Sequence, residues 1–319
     1  DVRSDAELAA ALEDVTVVFH LAAYGGYMPE IAQYVDVNSL GTARLFEQIR
    51  ARRGPSRLRK VVVASSQAVY QEGAVRCEAD GLQFPPPRDP RRLAAGRFDV
   101  RCPVCGGPTE SAPTPERAPI SGSTVYALTK VDQERLTLMM GAQLGLPVTA
   151  LRYACTYGPR QSLHNPYTGV ISIFCTRLVN GLPPVVYEDG RQTRDLCFVE
   201  DVARANLLAA TSEELDGLAV NVGSGRPTTI ADLARILADE LGVAIEPEIA
   251  GAYRPGEMRA LIPDLTLTRS AGFTPRVALD EGIHRHLDWL RRAGPIEERF
   301  SAAQRRLEEH HIVHAAAAP

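Results

Sequence analysis

The sequence predicts an α/β fold built on a doubly wound parallel sheet, with a smaller α/β substrate region and a cysteine-containing insert. Three observations carry that prediction. Apolar, β-branched runs of strand length recur at VTVVFHLAA (15–23), KVVVASSQAVY (60–70) and VTALRYACTYG (148–158), as strands buried on both faces of a parallel sheet require. Segments of helical spacing separate them. The chain is also long enough for one large or two medium cores, with 319 residues, 45% hydrophobic and 23% charged.

Taken in order, AELAAALE (6–13) has helical spacing and leads into the first strand. Residues from about Ile31 to Arg53 read as helix before the second strand, and VYALTKVDQERLTLMMGAQLG (125–145) is a long amphipathic helix before the third. Helix and strand in alternation imply parallel strands joined by crossover helices, and a first domain over 1–158. Past Gly158 the strands shorten (PPVVYED, AVNVGS, IEPEIA), with helices at about 168–180, 200–213, 229–241 and 278–292. This part reads as a smaller substrate-binding region over 159–295. The tail, 296–319, is helical and charged, then Ala-rich, and is expected to be frayed or peripheral.

Two features break the rhythm. The span from about Gly73 to Ser123 is too long for a strand-to-helix loop and reads as an insert. A nucleotide-binding sheet should also open with a strand and a glycine-rich turn whose amides hold a pyrophosphate, and the sequence contains no G-x-G-x-x-G. The chain is therefore expected to begin within the fold, without its first βαβ unit.

Composition narrows the function classes. No run reaches the roughly 18–20 apolar residues of a membrane span, and the first residues have neither the basic start nor the apolar stretch of a signal peptide. A cytoplasmic enzyme with no membrane partner is the expectation. Net charge is −4, and of 35 basic residues only Lys60 and Lys130 are lysines. The arginines are scattered, so no basic face for nucleic acid is expected. Cys155, Cys175 and Cys197 sit singly in apolar segments and read as small core residues.

The strongest chemical signal is Tyr126-Ala-Leu-Thr-Lys130 at a helix start, with Ser65 and Ser66 at the carboxyl end of the second strand. Spacing i, i+4 puts the phenol and the ammonium on one helix face. An adjacent ammonium is expected to lower the phenol's pKa, letting Tyr126 act as a base while the Ser66 hydroxyl holds a substrate oxygen. Such a site suits alcohol/ketone interconversion. Y-x-x-x-K also arises by chance on helix surfaces; what favours the site here is the scarcity of lysine and the serines at a strand's carboxyl end, where open α/β sheets bind ligands.

These residues belong to a longer ordered series. Asp1-Val2-Arg3, His20-Leu21-Ala22-Ala23, Asn38-Ser-Leu-Gly-Thr42, Ser65-Ser-Gln-Ala-Val-Tyr70, Arg152-Tyr153 with Tyr157-Gly-Pro-Arg160, GRQTRDLCFVEDV (190–202), NVGSGRPTTI (221–230), YRPGE (253–257) and GFTP (272–275) follow one another. In that order they resemble the motifs of extended short-chain dehydrogenases/reductases of the nucleotide-sugar epimerase/dehydratase family. The resemblance implies a Rossmann-type NAD-binding first domain, with NADP left open because the discriminating segment is not in the sequence. It implies a catalytic triad of Ser66, Tyr126 and Lys130. Cofactor contacts would come from Asp1, Val2, Leu21, Ala22, Ala23, Asn38, Ser65, Tyr126, Lys130 and Tyr153. Substrate contacts would come from Gln67, Cys155, Thr168, Gly169, Arg194 and Arg254, the two arginines on the nucleotide diphosphate; read alone, either arginine could equally be a solvated surface charge. His20 reads as structural. A homodimer pairing helix 125–145 with the helix of 31–53 is implied as well.

The departures are informative. Gln67-Ala68 stands where the family's 4,6-dehydratases carry an Asp-Glu pair, so neither side chain can transfer the proton for water elimination. Cys155 replaces an expected Asn. Within the insert, Cys77-x-x-Asp80 and Cys102-Pro-Val-Cys105-Gly-Gly are spaced for a structural zinc site; a reduced, metal-free loop is the other reading. Inserts of this type resemble those of dTDP-L-rhamnose 4-epimerases. The function expected is C4 epimerisation of a nucleotide-activated sugar through a 4-keto intermediate, of dTDP-L-rhamnose or UDP-hexose type. A 4-ketosugar reductase and a non-catalytic paralogue are the alternatives.

Overall fold

The computed structural model describes residues 1–52 and 57–317. Strands are β1 (Val17–His20), β2 (Lys60–Ser66), β3 (Val75–Cys77), β4 (Gly81–Gln83), β5 (Glu110–Ser111), β6 (Pro113–Thr114), β7 (Val148–Tyr153), β8 (Cys155–Tyr157), β9 (Val185–Val186), β10 (Thr193–Phe198), β11 (Leu218–Val222), β12 (Pro227–Thr229), β13 (Glu248–Ile249), β14 (Ala252–Tyr253), β15 (Ala260–Pro263) and β16 (His314–Ala315). Helices are α1 (Asp5–Ala11), α2 (Ile31–Tyr34), α3 (Gly41–Ala51), α4 (Pro90–Ala94), α5 (Val125–Leu144), α6 (Val170–Val179), α7 (Val199–Thr211), α8 (Ile230–Leu241), α9 (Thr266–Ser270), α10 (Leu279–Arg291) and α11 (Phe300–Glu309). No described helix is long and apolar enough to cross a membrane.

The main sheet runs β1-β2-β7-β11, and every pairing in it is parallel. Successive valines of β2 serve opposite faces, as a pleated strand dictates: Val61 packs with Phe46 and Val148 towards α3 and α5, and Val62 packs with Val202, Ala205 and Ala209 of α7. This is the doubly wound arrangement the alternation predicts. Helix α5 starts where the Thr124 hydroxyl accepts from the Ala127 amide and stops at Gly145, which is left-handed at φ 60°.

The second sheet runs β12-β10-β15-β6, with β8 also paired to β10. It packs through Phe198, Leu233, Leu237, Ile283 and Leu287 against α6, α8 and α10. The insert contributes two pieces. A three-stranded β4-β3-β5 sheet forms within it, and its last strand, β6, joins the second sheet alongside β15.

The helix expected from about Ile31 to Arg53 runs through Ala51, with a π-helical stretch, Val35–Leu40, between α2 and α3, and Arg53 lies outside the described residues. Two expectations are corrected. The tail is packed rather than frayed: Phe300, Ala303 and Leu307 bury one stripe of α11 against Tyr187, and β16 pairs with β14. Its final residue, Pro319, lies outside the described residues. Of the three cysteines read as core, Cys175 and Cys197 are buried, whereas Cys155 is half-buried and faces a cavity.

Candidate active site

A cavity of about 680 Å³ opens at the carboxyl ends of β2 and β7, bounded on the far side by β10 and α6. Parallel strands deliver Leu21, Ala64–Ala68 and Tyr153–Cys155 to it because chain reversals at that edge leave space between the loops. The start of α5 adds Tyr126 and Lys130. Ser66, Tyr126 and Lys130, separated by up to 64 positions, thus line one wall.

Ser65 and Ser66 divide their work by the strand's alternation. The Ser65 hydroxyl points inward and donates to Glu134 at 2.6 Å, and Glu134 in turn takes two hydrogen bonds from Arg152 at 2.6 and 3.0 Å. Ser66 faces the cavity, its hydroxyl accepting from the Ala68 amide at 3.1 Å and capping a short 3-10 turn.

The expected effect of Lys130 on Tyr126 is not what the geometry gives. Burial raises the Tyr126 phenol, and the Ser66 hydroxyl is what draws it back down. Lys130 donates instead to the Ala64 carbonyl at 2.7 Å and Gln133 Oε1 at 2.8 Å. Burial without a carboxylate partner lowers its pKa to about 7, which weakens the charge it could offer the phenol.

Gln67 and Cys155 meet in the cavity wall, Gln67 Nε2 donating to the Cys155 sulfur at 3.1 Å. Gln67 Oε1 has no hydrogen-bond partner among the described residues, which leaves a buried acceptor in the cavity wall. Burial pushes the Cys155 thiol up, so it stays neutral. Thr168 and Gly169 sit at the start of α6, where Gly169 takes φ 84° and no side chain caps the helix. Val170 and Ile171, the first residues of α6, line the cavity as well.

Arg194 and Arg254 line the same cavity. Arg194 pairs with Glu257 at 3.1 Å, and the Arg254 guanidinium stacks between the rings of Tyr27 and Tyr187, 4.2 and 4.5 Å from their centroids. Sequence reasoning missed Glu257, Tyr27 and Tyr187. Glu257 lies inside the YRPGE segment already singled out, so the signal was present; the tyrosines carry none.

The remaining expected cofactor contacts separate into two groups. Asp1, Val2, Ala22 and Ala23 border a shallower cleft beside β1, and Ala23 is shared with the main cavity. Tyr153 lines the main cavity, its hydroxyl donating to Asn206 at 2.9 Å. Asn38 is fully buried, and its amide is engaged by Tyr24 backbone and Thr129, so it braces the loop after β1. His20 is buried beside Thr42, 2.8 Å from its hydroxyl, with its pKa lowered to about 4 chiefly by burial.

The insert brings Cys77, Asp80, Cys102 and Cys105 together with their ligand atoms all within 4.8 Å of one another. Left-handed Gly106 closes the turn after Cys105, with its amide donating to the Cys102 carbonyl at 2.9 Å. The Cys77 and Cys105 sulfurs lie 3.5 Å apart, close to the roughly 3.8 Å expected between two thiolates on one tetrahedral zinc.

Fold and site together define an α/β protein that takes its ligand at the carboxyl edge of a parallel sheet and presents a tyrosine and a lysine to it from one helix. The family model "NAD dependent epimerase/dehydratase family" matches residues 1–91 and 102–223, and the chain belongs to that family. It is 34% identical over 285 residues to a dTDP-L-rhamnose 4-epimerase of Burkholderia thailandensis, spanning 86% of this chain and 74% of that one. To a putative UDP-glucose 4-epimerase of Methanocaldococcus jannaschii it is 30% identical over 296 residues, 91% and 82% of the two chains. Among solved structures, a UDP-glucose 4-epimerase of Thermotoga maritima with UDP-glucose superposes with a TM-score of 0.70 at 28% identity, over 91% of this chain and 82% of that one.

Proposed function

We propose that this chain is an NAD-dependent epimerase that inverts C4 of a nucleotide-activated hexose or deoxyhexose through a 4-keto sugar. The observation that carries the reading is that one cavity is lined both by Ser66, Tyr126 and Lys130 and by Arg194 and Arg254. A sugar nucleotide needs both sets of groups, the first for its reacting hydroxyl and the second for its diphosphate.

The residues fit the cofactor's nicotinamide half: Leu21, Ala23, Ala64 and Ala154 leave room at the sheet edge, and Lys130 and Tyr153 supply polar groups beside it. Asp1 and Val2 border the cleft suited to the adenine side. When bound, NAD supplies the acceptor and donor for the C4 hydride. Tyr126 Oη takes the proton of the C4 hydroxyl and later returns it, and Ser66 holds the same oxygen. Arg194, Arg254 and the uncapped amides of α6 hold the diphosphate, while the sugar turns over between them and Tyr126. Gln67 and Ala68 offer no acid or base for water elimination, which favours epimerisation over dehydration.

The finer features belong to the same reading. The chain works in the cytoplasm, and NADP is the competing dinucleotide. The insert holds one structural zinc through Cys77, Cys102 and Cys105, with Asp80 as fourth ligand. Two copies pair through α5 and the 31–51 helical segment, where Ile31, Val35, Leu128 and Met139 are each about half exposed or more on neighbouring helices.

Incubation with NAD and dTDP- or UDP-hexoses, followed by NMR, tests the function. C4 epimers are the expected products. Accumulation of a 4-keto-6-deoxy sugar from a 6-hydroxylated substrate overturns the assignment.

A further inference from the structure

Arg88 belongs to the insert, yet its guanidinium lies buried among residues of the substrate-binding region. It donates to both carboxylate oxygens of Glu188, at 2.9 and 3.0 Å, to Glu72 Oε1 at 2.9 Å and to the Glu257 carbonyl at 2.6 Å. Glu72 reaches the same loop with its other oxygen, which accepts from the Arg259 amide at 2.8 Å. Glu188 also takes a hydrogen bond from Arg259 Nη1 at 2.8 Å.

Two of these partners meet the cavity: Glu188 adjoins Tyr187, and Glu257 lines it. Glu188 follows Tyr187, whose ring stacks on Arg254, and it is held at φ 55°, a left-handed conformation that a glutamate adopts only when its surroundings enforce it. Glu257 pairs with Arg194. Leu93 and Phe98 of the insert pack on Tyr253, next to Arg254. The segment 253–259 is thus held by the insert at Tyr253 and at the Glu257 carbonyl, and at the Arg259 amide by Glu72, which leads into the insert. Arg88 supplies five donated hydrogen bonds from a side chain only 5% exposed, which is not the setting of a solvated surface charge.

We propose that Arg88 is a positioning residue for diphosphate recognition: by fixing Glu188 and the Glu257 carbonyl it sets where Arg254 and Arg194 stand in the cavity. The insert then acts as a buttress for the phosphate-binding wall and not as a separate appendage. This rests on the nucleotide-sugar reading above. Arg88 touches no ligand itself; a lysine in its place offers one point charge and cannot grip Glu188 with two parallel bonds while reaching Glu72 and Glu257.

The test is calorimetric titration of dTDP and UDP into the whole protein, the Arg88→Lys variant and the Arg88→Met/Glu72→Gln double variant. The double variant leaves no unpaired charge at Glu72, because Gln can still accept from the Arg259 amide. The Kd for the nucleoside diphosphate should rise about tenfold or more in the double variant and less in Arg88→Lys, with NAD affinity and far-UV circular dichroism unchanged. In turnover, KM should rise while kcat falls far less. In an Arg254→Ala background the Arg88 change should add little further loss. Diphosphate binding equal to that of the unaltered protein, or losses that multiply in the Arg254→Ala background, overturn the positioning role. Failure of the unaltered protein to bind either nucleotide overturns the nucleotide-sugar reading and this inference with it. Should the double variant prove unfolded, Arg88→Lys alone carries the comparison.

Discussion

Lys130 stands one helical turn beyond Tyr126 with its ammonium 6.0 Å from the phenol ring centroid, and it hydrogen-bonds to Ala64 and Gln133, not to the phenol. Its influence on the tyrosine is therefore through space. Tyr126→Phe removes the group proposed to move the C4 hydroxyl proton, and turnover should fall by about 10² to 10⁴-fold, the usual loss of a general base. Lys130→Met should leave the acid limb of the kcat/KM pH profile nearly where it was, because Ser66 and not Lys130 is what draws the phenol down. Steady-state rates across pH measure both; wild-type turnover in Tyr126→Phe would remove its role.

His20 is neutral in the folded protein because burial depresses its pKa from 6.5 to about 4. Between those two values the unfolded chain binds the proton and the folded chain does not, so stability falls as pH drops from about 6.5 towards 4. Urea unfolding across that window should show the loss. A His20→Gln variant should show less of it, and an identical pH slope in the two proteins would count against this account.

Purified protein should carry about one zinc per chain when prepared in reductant without chelator. Elemental analysis reads this directly, and its absence would remove the zinc assignment. Cys102→Ser should loosen the insert to proteolysis while leaving the main sheet folded, because Cys102 lies in the insert whereas Val61 and Val62 pack the sheet against α3, α5 and α7.

Leu307 has no exposed surface and lies in the stripe of α11 that covers Tyr187. Leu307→Ala should therefore cost about 2–5 kcal/mol, as buried large-to-small changes do. Denaturant midpoints test it. A value near zero would return the tail to the periphery, where its composition placed it.

That misplacement shows what was legible and what was not. Strands β2 and β7 and helix α5 were readable because local signals specify them: β-branched apolar runs for the strands and helical spacing for α5. Tyr126, Lys130 and Ser66 were readable because spacing and topology bring them together. The stripe Phe300, Ala303, Leu307 has helical spacing too, but the alanine and charge around it mask the pattern. The Arg194–Glu257 pair and the grip of Arg88 are contacts between distant segments, and no local preference encodes them. The weakness of Lys130 as a partner for Tyr126 was hidden for a related reason: i, i+4 spacing fixes a shared face, whereas burial and the Ala64 carbonyl decide where the ammonium goes.

The contacts made by Arg88 and Glu72 also constrain the order in which this chain can fold. Arg88 meets Glu188 across 100 positions and Glu257 across 169, and Glu72 meets Arg259 across 187. Closing loops of that length costs entropy that only the finished contacts offset. The arginine-bearing wall should therefore be among the last parts to consolidate, after the parallel sheet has formed. A newly made chain would then pass through a state with the Tyr126 helix in place and no grip on phosphate, and acquire ligand affinity only at the close of folding.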